Sequence, residues 1–193
     1  HGMPQNLLTP QPVAGERNYF AFLGRISPEK GIERAIQIAD RAGVKLKVAA
    51  KVDKADAEYF KTAVEPLLHD DNVEFIGEIN DAQKPAFLSG AKALLFPIDW
   101  PEPFGLVMIE AMACGCPVIA MRRGSVPEVM DDGVSGFIVN NVDEAVAACG
   151  RLGELDRAKV RAQFDKRFTS RRMAEDYVKV YERLIAERKA GLS

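Results

Sequence analysis

Short apolar runs alternate along this chain with stretches in which apolar residues recur every three or four positions, so strands and helices can be told apart by period. Strands are expected at Tyr19–Leu23, Val44–Ala50, Val73–Ile76, Ala93–Phe96, Pro117–Ala120 and Gly136–Val139. Helices are expected near Pro28–Ala42, Ala55–Leu68, Ala82–Ser89, Gly105–Cys114, Val126–Met130 and Val142–Leu152. The strands read as continuous apolar runs, the pattern of strands covered on both faces. Strict alternation of the two kinds implies an α/β fold, a doubly wound, Rossmann-like and mostly parallel sheet.

From about residue 154 the pattern becomes two helical stretches with no strand between them. In the second, Met173, Tyr177, Val180, Tyr181, Leu184 and Ile185 fall on one face as an apolar stripe. Packing on this same domain is the expected use of the stripe, with docking on another domain as the alternative. Ser27 before Pro28, and Asn141 three residues before Glu144, read as helix starts. Residues 1–16, which open HGM and contain prolines, read as a tag remnant and linker. Residues 17–193 then form the domain, C-terminal helices included.

Composition narrows the function more than the fold. A net charge of −2 over 193 residues, with no Lys/Arg cluster interleaved with aromatics, argues against nucleic acid as a partner. No apolar run approaches the roughly 18–20 residues of a membrane span, and no secretory pattern opens the chain, so a cytoplasmic protein is expected. Cys114, Cys116 and Cys149 have no C-x-x-C spacing and read as small buried fillers. With only His1 and His69, the latter in the polar segment HDDN, and no D-x-D pair, no metal site is expected.

Candidate chemistry gathers where strands end, the place where open α/β sheets bind ligands. In FLGRISPEKG, Gly24 and Arg25 leave a strand and Lys30 stands near the start of a helix, where a positive helix end disfavours a cation. Two cations there make sense around a polyanion. In WPEPFGLVMIEAMACG, Phe104, Gly105 and Leu106 would offer free backbone N–H groups at a helix start. Glu102 precedes that turn. Glu110, eight positions on, lies inside the apolar helix, where a carboxylate needs either a protein partner or a ligand rich in donors, such as a sugar or ribose diol, and the placement of both glutamates around a glycine-bearing helix start favours the ligand. The turn FIGEIND offers Gly77 and the backbone of Ile79 to a flat base. Two carboxylates so spaced also suit a glycosidase acid/base pair; the phosphate-type turns argue against it.

Together, LGRISPEKG, FIGEI, PEPFGLVMIEAMACGCPVIA and RRGSVPEVMDDGVSGFIV resemble the C-terminal, donor-binding half of retaining glycosyltransferases of family 4, the group 1 enzymes of the GT-B fold. The resemblance spans about residues 19 to 190, and its most specific part is the E-x7-E pair enclosing PFG. It implies that Arg25 and Lys30 neutralise the diphosphate of a nucleotide sugar, that Glu110 holds the ribose hydroxyls and that Glu102 approaches the transferred hexose. It further implies that the Phe104–Leu106 backbone contacts phosphate and sugar, that Gly77 to Ile79 touch the base, and that transfer proceeds without metal or other cofactor, with retention at the anomeric carbon. UDP-glucose is the first donor to consider. The acceptor-binding N-terminal domain of such an enzyme has no counterpart here, so the chain is expected to bind donor and to transfer nothing alone. Peripheral attachment to a membrane through that domain stays open. A non-catalytic, regulatory nucleotide-binding module of the same fold is the alternative.

Overall fold

The computed structural model describes residues 1–69 and 71–190; Asp70, within the HDDN segment, lies outside them. Six strands, β1 (Tyr19–Arg25), β2 (Lys45–Lys51), β3 (Val73–Gly77), β4 (Leu94–Phe96), β5 (Val118–Met121) and β6 (Gly136–Val139), form one parallel sheet in the order β3-β2-β1-β4-β5-β6. The order reverses between β1 and β4, and a crevice for a ligand opens at such a point, outside the carboxyl ends of the strands.

Successive strand residues face opposite layers. Phe20 and Phe22 of β1, Leu46 and Val48 of β2 and Ile119 of β5 pack with α1 (Ile32–Arg41) and later with α6 (Val142–Gly150). Ala21, Leu94, Val118 and Ala120 face the other way. There they meet α3 (Lys84–Gly90), α4 (Leu106–Ala113), α5 (Val126–Val129) and α7 (Arg157–Arg167), through Leu88, Met108, Met112, Val129 and Phe164. Burial on both faces explains why the strands are legible as apolar runs.

Helix starts differ from expectation where one residue overrules the pattern. The expected Pro28–Ala42 helix is a 3-10 turn, Pro28–Lys30, followed by Gly31 at φ 75° and then α1. A Cβ on Gly31 would run into the Pro97 carbonyl, so this left-handed break is required by both space and backbone. Ser27 does not cap the turn; its hydroxyl donates to Glu29 Oε1 at 2.7 Å. Between β2 and β3 the expected helix is irregular, passing from a 3-10 turn (Lys54–Asp56) through α2 (Ala57–Tyr59) and a π segment (Phe60–Val64) to a second 3-10 turn (Glu65–His69). Pro66 has no N–H to give to Thr62 and its ring crowds that carbonyl, so an α-helix cannot run through it.

Packing bears on two further readings. Residues 1–16, read as tag remnant and linker, are anchored at two points: Met3 and Leu8 are buried, the Met3 N–H donates to the Phe168 carbonyl, and Arg161 donates to the Leu8 carbonyl. The C-terminal helix α8 (Ser170–Ala190) buries none of its residues. Tyr177, Val180, Tyr181, Leu184 and Ile185 of its stripe are 41–58% exposed, so the stripe does not pack on this domain. Met173 sits beside Gly2, and His1 shares a shallow cavity with Met173, Tyr177 and Val180.

Candidate functional site

The crevice at the carboxyl ends of β1 and β4 divides into two adjoining cavities, of ≈ 380 Å³ and ≈ 310 Å³. Gly24, Arg25, Leu106 and Val107 line both and form the wall between them. The first also holds Lys30, Glu102, Phe104 and Gly105, and the second Glu78, Ile79, Lys84 and Glu110. Nine of the ten residues singled out in the sequence thus line the crevice. Gly77 lines neither cavity; at φ 76° it ends β3 where the register with β2 shifts, and so turns Glu78 and Ile79 toward the second one.

Each cavity holds a glutamate already paired to a lysine. Lys30 Nζ donates to Glu102 Oε2 at 2.5 Å, and Trp100 Nε1 donates to the same oxygen at 2.9 Å. These side chains are only 18% and 11% exposed, so the pair is far less screened than a surface ion pair. Lys30 also lies 5.0 Å from the centre of the Trp100 ring, a cation–π distance. Because Gly31 delays the start of α1, Lys30 is not in that helix's first turn but just ahead of it, and its ammonium crosses to the loop that follows β4.

In the second cavity Lys84 Nζ donates to Glu110 Oε1 at 2.8 Å and pairs with Asp81 Oδ1 at 2.9 Å. Glu110 therefore has a protein partner. Burial would lower the pKa of Lys84, but hydrogen bonds from it to Glu110 and Asp81 outweigh burial and raise it. Lys84 escaped the sequence reading, though it carries the signal that marked Lys30: a cation at the first position of a helix. Arg25 is more open, 54% exposed, with Asp53 Oδ2 at 3.6 Å from its guanidinium. A hydrogen bond from Lys51, at 3.1 Å, and the nearby Arg25 charge hold the Asp53 carboxyl below its ordinary value.

Gly105 starts α4 at φ 76°, and a Cβ there would meet Met108 Cε at 2.7 Å. The segment Gly124-Ser125 lies behind the site. Gly124, at φ 50°, packs so closely on the backbone of Glu102 that a Cβ would overlap its N and O atoms, and the Ser125 N–H donates to the Glu102 carbonyl at 2.9 Å. Cys116, read as a small buried filler, is buried outside both cavities, and burial pushes its pKa to about 11. Among the described residues no group of three or more His, Cys, Asp or Glu side chains is placed to hold a metal ion, and no helix is long and apolar enough to cross a membrane.

This sheet order with its crevice at the β1/β4 switch defines a Rossmann-like domain of the kind found in GT-B glycosyltransferases. The chain belongs to the family described as glycosyl transferases group 1, whose model matches residues 6–170. It is 31% identical over 160 residues to an alpha-maltose-1-phosphate synthase of Mycobacterium tuberculosis, covering 77% of this chain and 40% of that protein. Its fold matches that of Anabaena HepE, crystallised with UDP and glucose, with a TM-score of 0.78 and 22% identity over 94% of this chain and 55% of the other. It also matches the C-terminal domain of a group 1 family protein from Francisella tularensis, with a TM-score of 0.72 and 19% identity, over 88% of this chain and 100% of that domain. The chain is thus a C-terminal-type domain of the family and spans less than half the length of the curated relative.

Proposed function

We propose that this domain is the donor-binding half of a retaining, metal-independent glycosyltransferase that moves a hexose from a nucleoside diphosphate sugar to an acceptor held by another domain. The wall shared by the two cavities carries this reading. A nucleotide sugar is a polyol, a diphosphate, and a ribose with a flat base, in that order, and the crevice offers Glu102, then Arg25 and the Leu106 backbone, then Glu110 and Ile79 in the same order.

On this reading the diphosphate crosses the shared wall. Lys30 and Arg25 exchange Glu102 and Asp53 for phosphate oxygens, helped by the positive end of α4, whose own effect is about 0.3–1 kcal/mol and too small to hold a diphosphate. Glu110 accepts hydrogen bonds from the ribose hydroxyls, and Glu102, freed from Lys30, faces the hexose. As the anomeric bond breaks, charge grows on the leaving phosphate oxygen, where one preorganised donor is typically worth about 2.7–4 kcal/mol. Retention and independence from metal rest on the family resemblance. The bare stripe of α8 is assigned to contact with the acceptor-binding domain, without which transfer is not expected. The unpaired cysteines suit a reducing cytoplasm.

Thermal shifts with UDP, GDP, ADP and UDP-glucose test the reading, UDP-glucose first because a fold neighbour was crystallised with its two parts. Ligand at 100 times its dissociation constant adds about 2.7 kcal/mol, or roughly 5–10 °C for a chain of this size. A base-selective shift that Arg25→Ala and Lys30→Ala both lose is expected. No shift with any nucleotide, in this domain or in the full-length protein, overturns it.

A further inference from the structure

A third cavity, of ≈ 780 Å³, lies at the opposite end of the sheet. It is bounded by Phe20 at the start of β1, Val44 just before β2 and Lys92 just before β4, together with Arg17, Cys149 near the end of α6 and Arg157 at the start of α7. Every strand is parallel, so these amino ends are far from the carboxyl ends that form the donor crevice. No part of the proposed transfer uses this space.

Its charge is unbalanced. Arg17, Lys92 and Arg157 line it against one carboxylate, the exposed Glu16, and none of the three cations forms an ion pair among the described residues. The guanidiniums are fixed by neutral groups instead. Arg157 donates to the carbonyls of Ala91, Lys92 and Ser89 at 3.1, 3.4 and 3.2 Å, and Arg17 Nε donates to Ser89 at 2.8 Å. The Ser89 carbonyl belongs to the last turn of α3, whose dipole supplies about half a negative charge, well short of three positive ones. The pKa of Arg157 lies below the ordinary arginine value, chiefly through burial, with repulsion from Arg17 adding to it. The terminal nitrogens of Arg17 and the ammonium of Lys92 make no hydrogen bond among the described residues, and Phe20, Val44 and Leu152 supply apolar walls.

We infer that this cavity is a binding site, separate from the donor crevice, for a small phosphate monoester. Its phosphate meets Arg17, Lys92 and Arg157, and its organic part lies against the apolar walls. A planar arginine fork suits phosphate oxygens, and the volume falls within the range of small-ligand pockets.

Cys149 reports on occupancy, because it lines the cavity and is the one cysteine of the three that is not buried. Burial pushes its thiol up to about 11, so iodoacetamide labelling is best followed at about pH 9, with the modified peptide read by mass spectrometry. At constant ionic strength, glycerol 3-phosphate at twice its dissociation constant is expected to slow labelling about threefold. Inorganic phosphate should protect less, and UDP not at all. Arg17→Gln with Lys92→Gln should abolish the protection while leaving the UDP-induced thermal shift intact. If the double variant does not fold, Lys92→Gln alone is used in the same way. Unchanged labelling with both phosphates, or protection that survives these substitutions, overturns the site. Protection by inorganic phosphate without protection by the monoester overturns the assignment of ligand class.

Discussion

Lys84 Nζ lies 2.8 Å from Glu110 Oε1, so the carboxylate set within the apolar helix α4 is held by the first residue of α3, 26 positions earlier in the chain. Both side chains are 17% exposed, between the surface and the fully buried case. Removing one partner therefore strands a charge at a cost above the ~1 kcal/mol ceiling of surface pairs and below the roughly 3–5 kcal/mol of buried ones.

Lys84→Met is expected to cost about 2 kcal/mol, a fall in melting temperature of roughly 4–8 °C. Adding Glu110→Leu should restore much of that stability while leaving nucleotide binding lost, which separates the fold's need for the pair from the ligand's. A double variant that binds UDP as the parent does would refute the ribose role of Glu110.

The raised pKa of Lys84 sets a sign for pH. Its contribution is fully present below the unfolded-state value of about 10.4 and is lost as pH rises through the higher folded-state value. Urea midpoints of parent and Lys84→Met, compared from about pH 8 to about pH 12, should converge at the alkaline end.

Gly124→Ala should be destabilising and should displace Glu102, because the added Cβ would overlap the Glu102 backbone and the position is left-handed at φ 50°. A loss of about 1–3 kcal/mol is expected in chemical denaturation, with a fall in kcat when the variant is placed in the full-length protein. Gly133→Ala, also left-handed at φ 76° but with open space around it, should keep kcat and lose stability only through strain.

Trp100 is the one tryptophan in the sequence; its ring faces Lys30 and its N–H donates to the Glu102 oxygen that Lys30 holds. If a diphosphate takes Lys30 from Glu102, the indole emission should shift on titration with UDP and stay flat in Lys30→Gln. An equal change in both proteins would place the nucleotide elsewhere.

Tyr181→Glu and Leu184→Glu in α8 should leave the stability of this domain within about 0.5 kcal/mol of the parent, since neither side chain packs on it. The same changes in the full-length protein should lower its melting temperature. No effect there would remove the assignment of the stripe to a domain contact.

The strands were legible because parallel strands buried on both faces must be apolar throughout, and Phe20–Phe22 and Val118–Met121 obey this without exception. Arg25, Lys30 and Glu110 stood out because a cation beside a helix start and a carboxylate inside an apolar helix are poor choices for a purely structural role, and Gly24 and Glu102 because they adjoin such positions. The pairings were not. Lys30 and Glu102 are 72 positions apart and meet only because β1 and β4 are neighbours, a relation set by sheet order rather than by local pattern. Nor could the burial of Leu8 be read locally, since Leu8 packs into a cluster built from helices far along the chain. The breaks at Gly31 and Pro66 were single-residue effects inside otherwise helical periodicity.

The ion pair between Lys30 and Glu102 also bears on turnover. Under the proposed function the lysine has two competing anions, one delivered by the substrate and one tethered to the protein. Once the sugar has left, the tethered carboxylate is always at hand to reclaim the ammonium, so the spent nucleotide is pushed from the cleft by an internal rival. Glu102→Gln should accordingly hold UDP more tightly than the parent even as it transfers sugar more slowly.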